Sequence, residues 1–252
     1  MPGVPALMLR VGHKGADLIV PGNTPASFDA ALAAGVDMIE FDVLREAGTG
    51  RLLLAHDAHD AGRRNPFTLA EGLAHLSREP FMGIELDVDL KLPGYELQVL
   101  EALRAHRMLE RALICSQYRS SLARIRAAEA GVRLGWSVPK LRRDPFRSRA
   151  TALPALAALL AMRELLPSRA ARAIASGEVD ALMAHWRLVT PRLIARVRRA
   201  GGELYVWTVD EPGRLQELQA MGVTGAISND PRLFAGLAGG AAALSGSRTS
   251  SR

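Results

Sequence analysis

Short apolar runs alternate with Ala/Leu/Arg-rich helical patterns along almost the whole chain. The strand-like runs are Met8–His13, Met38–Val43, Met82–Leu90, Ala112–Ser116, Arg133–Val138, Ala181–His185, Glu203–Val209 and Gly225–Ser228. Leu52–His56 reads as an extra strand, joined to the second by a Gly-Thr-Gly turn. Helical patterns fall between them at Pro25–Ala34, Tyr95–His106, Ser120–Ala130, Pro191–Ala200 and Pro212–Met221. Thr190-Pro191 offers an N-cap with proline in the first helical position, and Asp210-Glu211-Pro212 is expected to act similarly.

Eight strands with intervening helices imply an α/β protein whose parallel sheet is covered by helices. A closed TIM-type (β/α)8 barrel fits the count, as a single domain over residues 1–235. The rival, a doubly wound open sheet, calls for a glycine-rich phosphate loop after the first strand, and Gly12-His13-Lys14-Gly15 is no such loop. Residues 140–177, basic at first and then Ala-rich, read as a loop and extended helix on the fifth βα unit, with a lid or membrane-facing element as the alternative. The Gly/Ser/Ala-rich tail, 236–252, lacks a core face and is expected to be disordered.

Polar residues interrupt this pattern at chosen places. Residues two apart in a strand share a face, so Glu40 and Asp42 project together. Glu85, Asp87, Asp89 and Lys91 likewise alternate with aliphatics, and the barrel count puts that polar face inside. Crowded carboxylates repel unless a positive charge sits among them. Lys91 helps, and a divalent cation held with Glu40 and Asp42 would help more; oxygen-only ligation favours Mg²⁺, Ca²⁺ or Mn²⁺ over zinc. An internal salt-bridge network without metal is the competing reading. His13 and His56 each terminate an apolar strand beside these carboxylates, and together suit the proton transfers of phosphoester cleavage. His59, His75 and His106 read as surface residues, while His185 ends a strand and can face the barrel mouth.

Composition narrows the function classes. The formal charge of +6 comes from arginine-rich helices, read first as solvated faces and second as attraction to phosphate-bearing substrates or anionic membrane surfaces. Nucleic acid is not expected as a partner: aromatics are 5% and no aromatic-basic module is present. Cys115 is the one cysteine, which removes a disulfide framework. The N-terminus lacks the pattern of a secretory signal and no apolar run reaches bilayer length, so the cytoplasm is the expected location.

The ordered set of motifs resembles the glycerophosphodiester phosphodiesterase family. Its His-Arg-Gly, Pro-Glu-Asn-Thr, Glu-x-Asp, His-Asp, Glu-x-Lys, Trp-Thr-Val-Asn and Thr-Asp-x-Pro appear here, in order, as His13-Lys14-Gly15, Pro21-Gly22-Asn23-Thr24, Glu40-Phe41-Asp42, His56-Asp57, Asp89-Leu90-Lys91, Trp207-Thr208-Val209-Asp210 and Ser228-Asn229-Asp230-Pro231. The resemblance implies a TIM-type barrel and a metal held by Glu40, Asp42 and Asp89, with His13 and His56 as the acid–base pair. Lys14 and Lys91 would meet the substrate phosphate, and Trp207 would line the alcohol side. Glu85 or Asp87 remains an alternative third ligand, although the spacing to Lys91 favours Asp89. Three departures bear on substrate choice and rate: Gly22 stands where the family has glutamate, Lys14 where it has arginine, and Asp89 where it has glutamate, which shortens the third ligand by one methylene. The implied activity is hydrolysis of a glycerophosphodiester to an alcohol and glycerol phosphate, with Mg²⁺ or Ca²⁺ (or Mn²⁺) as cofactor. A lysophospholipase D-like activity on single-chain lipids, with membrane-surface contact, and a non-catalytic phosphodiester-binding barrel are the alternatives. Head group and oligomeric state are not legible.

Overall fold

The computed structural model describes residues 7–139 and 149–237. Among these, nine strands form one sheet: β1 (Leu9–Gly12), β2 (Met38–Arg45), β3 (Leu52–Leu54), β4 (Glu85–Leu90), β5 (Ala112–Ser116), β6 (Arg133–Val138), β7 (Ala181–His185), β8 (Glu203–Trp207) and β9 (Gly225–Ser228). The parallel order β1-β9-β8-β7-β6-β5-β4-β2 returns to β1 through the β1–β2 pairing, which closes an eight-stranded barrel. The extra strand, β3, lies outside that circuit and pairs antiparallel with β2, as the short turn requires. A single barrel domain is thus the architecture, as expected.

Helices follow the strands and cover the barrel: α1 (Pro25–Ala33), α2 (Ala58–Arg63), α3 (Leu69–Leu76), α4 (Glu96–Ala105), α5 (Arg119–Ala128), α6 (Arg149–Ala175), α7 (Pro191–Arg199) and α8 (Pro212–Met221). The sequence reading missed α2 and α3. Both are short, six and eight residues, and α2 buries no side chain, so it leaves no apolar stripe to read. Thr190 caps α7 through its side chain as anticipated. The parallel expectation for Asp210 is corrected: Glu211 is the N-cap of α8, without a side-chain bond, and the Asp210 carboxylate is engaged by Ser228 and Asn229 instead. Of residues 140–177, the structure describes the helix from Arg149; residues 140–148 lie outside the described residues, as does the tail from 238. No helix among the described residues is long and apolar enough to cross a membrane.

Alternation along the strands makes two apolar layers. Val11, Met38, Leu113, Cys115, Ala181, Met183, Tyr205 and Ile227 meet inside the barrel, while residues of opposite parity such as Ile39, Phe41, Leu86, Val88 and Leu182 pack outward under the helices. The inward set is polar at both ends. At the N-terminal end Arg133 bonds Glu85 at 2.8 Å, Glu203 at 2.8 Å and the Tyr205 hydroxyl at 3.1 Å, sealing the floor. At the C-terminal end the inward positions become His13, Glu40, Asp42, Asp89, His185 and Trp207.

Where β1 leaves the barrel, the backbone folds back on itself. A Cβ at Gly12 would stand 2.2 Å from the Gly15 carbonyl oxygen, so only glycine permits this turn. Gly12→Ala is therefore expected to cost about 1–3 kcal/mol through overpacking, measurable as a lower urea midpoint; an unchanged midpoint would mean that the turn relaxes freely.

Candidate active site

Glu40 and Asp42 are buried on β2, and Asp89 faces them from β4, where Asp42 and Asp89 are register partners. One carboxylate oxygen from each of the three lies within 4.8 Å of the other two, a spacing suited to a single cation. The alternative third ligands fall away. Glu85 is committed to Arg133 at the barrel floor, and Asp87, level with Glu40 and beside Cys115, is not among the carboxylates that share this spacing. A donor set of carboxylate oxygens fits a hard divalent cation, and the buried Asp89 Oδ1 has no hydrogen-bond partner to compete for its lone pairs. Lys91 lies among the same groups, its Nζ 2.5 Å from Asp42 Oδ1 and also paired with Asp89.

The charges respond to this crowding. Burial, with the Asp42 charge beside it, pushes the Glu40 carboxyl well above the ordinary range. Burial pushes Asp42 the same way, yet the Lys91 ammonium, His56 and Lys14 prevail and hold it well below that range. Burial works against the Lys91 ammonium too, but Asp42, Asp89 and Glu40 outweigh it and raise its pKa strongly.

His13 follows β1 and His56 follows β3, so both arrive at the rim of the carboxylate cluster. Asp210 Oδ2 accepts from Asn229 Nδ2 at 2.7 Å, and its Oδ1 accepts the Asn229 N–H at 2.8 Å. Since a carboxylate only accepts, the Asn229 amide oxygen must face His13, 2.5 Å from Nδ1. His13 therefore carries its proton on Nδ1 and turns Nε2 inward, 3.8 Å from Glu40 Oε2. Burial and the nearby Lys14 charge lower the His13 pKa, against the pull of Asp42 and Asn229. His56 is 53% exposed and directs Nδ1 at Asp42 Oδ2, 3.2 Å away, which leaves its Nε2 pointing from the cluster. Each imidazole is thus held through its Nδ1, His13 by Asn229 and His56 by Asp42.

The groups that hold these side chains were not singled out by sequence reasoning. Asn23, buried and at φ +58°, donates to Asp42 Oδ2 at 2.9 Å and accepts the Asp42 N–H at 3.0 Å. Asp60 accepts the His56 N–H at 3.0 Å; Arg64 in turn grips Asp60 and reaches the carbonyls of Gly22 and Leu54, tying the first loop to the third. Asn23, Asp210 and Asn229 do stand inside the family-like motifs, which was the available signal, whereas Asp60 and Arg64 stand outside them. Across the barrel, His185 stacks on Trp186 with centroids 5.6 Å apart and meets the Trp207 ring edge-on at 5.2 Å. Trp207 is fixed by its Nε1 bond to the Met183 carbonyl at 3.0 Å. His75, expected at the surface, is instead largely buried against the Phe81 ring and bonded to Asp29, and His106 is half-buried beside Ser77.

The sequence profile of the Glycerophosphoryl diester phosphodiesterase family matches residues 98–233, more than half of the chain. The chain belongs to the glycerophosphoryl diester phosphodiesterase family. The matched region contains Trp207, Asp210 and Asn229 but not the carboxylate cluster or the two imidazole-bearing loops, which join it through the barrel geometry. A glycerophosphodiester phosphodiesterase of Caldanaerobacter subterraneus subsp. tengcongensis is 24% identical over 91% of this chain and 97% of that protein. Among solved structures, a Silicibacter pomeroyi protein provisionally named a glycerophosphoryl diester phosphodiesterase shares 21% identity over 92% of each chain, with a TM-score of 0.72. An Oleispira antarctica phosphodiesterase solved with the product sn-glycerol-3-phosphate shares 18% identity over 88% of this chain and 93% of its own, with a TM-score of 0.65. The barrel fold is common to this chain and both solved structures.

Asp87 lies inside the barrel with the Cys115 thiol beside it, and burial outweighs that neighbour and pushes its pKa up to about 7. In the unfolded chain it ionises near the ordinary value of 3.8. Between those values the native state holds the extra proton, so this group's contribution to stability falls as pH rises through the window. Asp87→Asn should remove that slope: relative to the native protein it gains from pH 4 to pH 7, reaching on the order of 4 kcal/mol. Urea unfolding at both ends of the range checks this; a pH-independent difference would show that Asp87 ionises normally in the fold.

Proposed function

We propose that the protein is a divalent-metal-dependent glycerophosphodiester phosphodiesterase, releasing an alcohol and glycerol phosphate. The observation that carries this reading is the convergence of His13 Nε2 and His56 on a buried carboxylate triad that spans 4.8 Å. Glu40, Asp42 and Asp89 would hold the cation, Mg²⁺ or Ca²⁺ being the better fit to carboxylate oxygens and Mn²⁺ an acceptable one. When bound, such an ion supplies Lewis acidity at the phosphoryl oxygens.

The protein's own groups do the rest. His13, the more buried imidazole with its lone pair facing the cleft, is placed to take the proton from the nucleophile, either water or the neighbouring substrate hydroxyl. The new oxygen–phosphorus bond forms as the bond to the alcohol oxygen breaks; where the substrate hydroxyl attacks, the cyclic phosphate that results is then opened by water, which gives glycerol phosphate. His56, half exposed at the rim, is placed to give that oxygen its proton as the alcohol leaves. Asn229 and Asp42 hold the two Nδ1 positions, so neither ring needs to rotate before transfer. Lys14 and Lys91 bring positive charge to the phosphate, and Trp207 with His185 forms the wall opposite the carboxylates. Sn-glycerol-3-phosphate in the Oleispira antarctica structure supports this product class.

A second reading, hydrolysis of a lysophospholipid, draws on Leu156, Leu160 and Leu165, large apolar side chains exposed along α6. Turnover of glycerophosphocholine against lysophosphatidylcholine separates the two: preference for the lipid would favour the second.

Glu40→Gln is expected to abolish calorimetric binding of Mg²⁺, Ca²⁺ and Mn²⁺ and to remove most turnover. Full turnover after EDTA treatment and dialysis would overturn the metal requirement. His13→Ala and His56→Ala should retain the native circular-dichroism spectrum while each loses about 10²–10⁴-fold in kcat. Losses below tenfold in both would place the proton transfers on other groups.

A further inference from the structure

We propose that Asp17 is the positioning residue for Lys14, supplying from position 17 the carboxylate that steers this ammonium toward the phosphate; the inference rests on the phosphodiesterase reading above. Lys14 leaves β1 at φ +48°, and its main chain is pinned on both sides. Its N–H donates to Glu40 Oε2 at 2.7 Å, and its carbonyl accepts from the Ser27 hydroxyl at 2.7 Å and the Asn23 N–H at 2.9 Å. Only the side chain is left to be aimed. Its Nζ lies 3.2 Å from Asp17 Oδ2, while Asp17 Oδ1 accepts the Gly22 N–H at 2.8 Å.

Position 22 explains why the carboxylate has this source. A Cβ there would stand 2.4 Å from Asp17 Oδ1 and 2.7 Å from Lys14 Cβ, closer than such atoms approach. With the Lys14 main chain pinned, a side chain at 22 and the Asp17 carboxylate exclude one another. The glutamate that the resemblance leads one to expect at 22 is therefore absent, and its space holds the Asp17 carboxylate. The identity of residue 14 follows from the same bonds. One Asp17 oxygen is committed to the Gly22 N–H, so the other offers a single contact. That suits a lysine point charge, whereas an arginine fork needs two oxygens. Burial disfavours the Lys14 ammonium, but Asp42, Asp17 and Glu40 together raise its pKa, so the charge persists while the metal-site carboxylates compete for it. Asp17 is the one of these three that pulls it away from the cluster.

The variant Asp17→Asn retains an acceptor for the Gly22 N–H and loses only the charge. It should raise KM for glycerophosphocholine and the inhibition constant of glycerol 3-phosphate about tenfold, with kcat changed less than about threefold. Gly22→Glu alone should impair the enzyme, and Asp17→Gly with Gly22→Glu should recover part of that loss. In calorimetry, Lys14→Met and Asp17→Asn should weaken binding of inorganic phosphate to the metal-loaded protein by similar factors, and the double variant no further. Native-like KM and phosphate affinity in Asp17→Asn, or additive effects at 17 and 22, would overturn the proposal. An inactive native protein would overturn the phosphodiesterase reading instead, while phosphate affinity would still report on Asp17 and Lys14.

Discussion

Like charges held close together where water cannot screen them are the constraint on which the upper half of this barrel is built. Glu40, Asp42 and Asp89 face one another across adjacent strands. Separating two such charges from water costs far more than their solvated repulsion. The strand register makes the crowding unavoidable, because the pairing of β2 with β4 puts Asp42 level with Asp89. Compensation comes from beside and above: the Lys91 ammonium between two of the acids, the His56 ring and Asn23 amide on Asp42, and the Lys14 N–H on Glu40. Lys14, His56 and Lys91 are thus also part of the neutralising shell. A cation held by the triad would change the surroundings of all of them at once, and so would couple metal loading to the protonation of Glu40 and to the freedom of Lys91.

The same constraint explains what the sequence makes legible. Four strands, Ala112–Ser116, Arg133–Val138, Ala181–His185 and Gly225–Ser228, have the bounds expected of them, since a buried parallel strand is a short aliphatic run. Charged residues inside such runs stand out because period two allows them only an inward direction; Glu40, Asp42 and Asp89 are visible for that reason. Glu85 and Asp87 share the periodicity and differ only in depth. Alternation reports the face of a strand but not the height along it, so the floor bridge to Arg133 and the burial of Asp87 beside Cys115 needed the structure.

Loops and short helices carry no such period. Asn23, in a loop, and Asp60, in the six-residue α2, are ordinary residues by composition, and their partners lie 19 and four positions away in the chain. Asp210 is instructive because it reads as a helix cap on local grounds. A better use is available only once β8 and β9 are neighbours: with its loop held beside Ser228 and Asn229, the carboxylate satisfies two N–H groups and a hydroxyl. Tertiary neighbours outbid a local cap, and α8 starts instead at Glu211 with no side-chain bond.

That contact also accounts for a departure in two motifs that look unrelated in one dimension. The resemblance has asparagine in the first and aspartate in the second, whereas this chain has Asp210 and Asn229. The two side chains bond each other directly, so exchanging them keeps one amide and one carboxylate in the pair. The exchange is not neutral for His13. A carboxylate at 229 would place a negative charge against Nδ1 and favour the imidazolium; the Asn229 amide oxygen fixes the same tautomer without that charge. Burial and the neighbouring Lys14 lower the His13 pKa against the smaller pull of Asp42 and Asn229, which favours the neutral ring. A neutral ring with its lone pair turned inward is the form a proton acceptor requires, and it is reached through a hydrogen bond 216 positions along the chain.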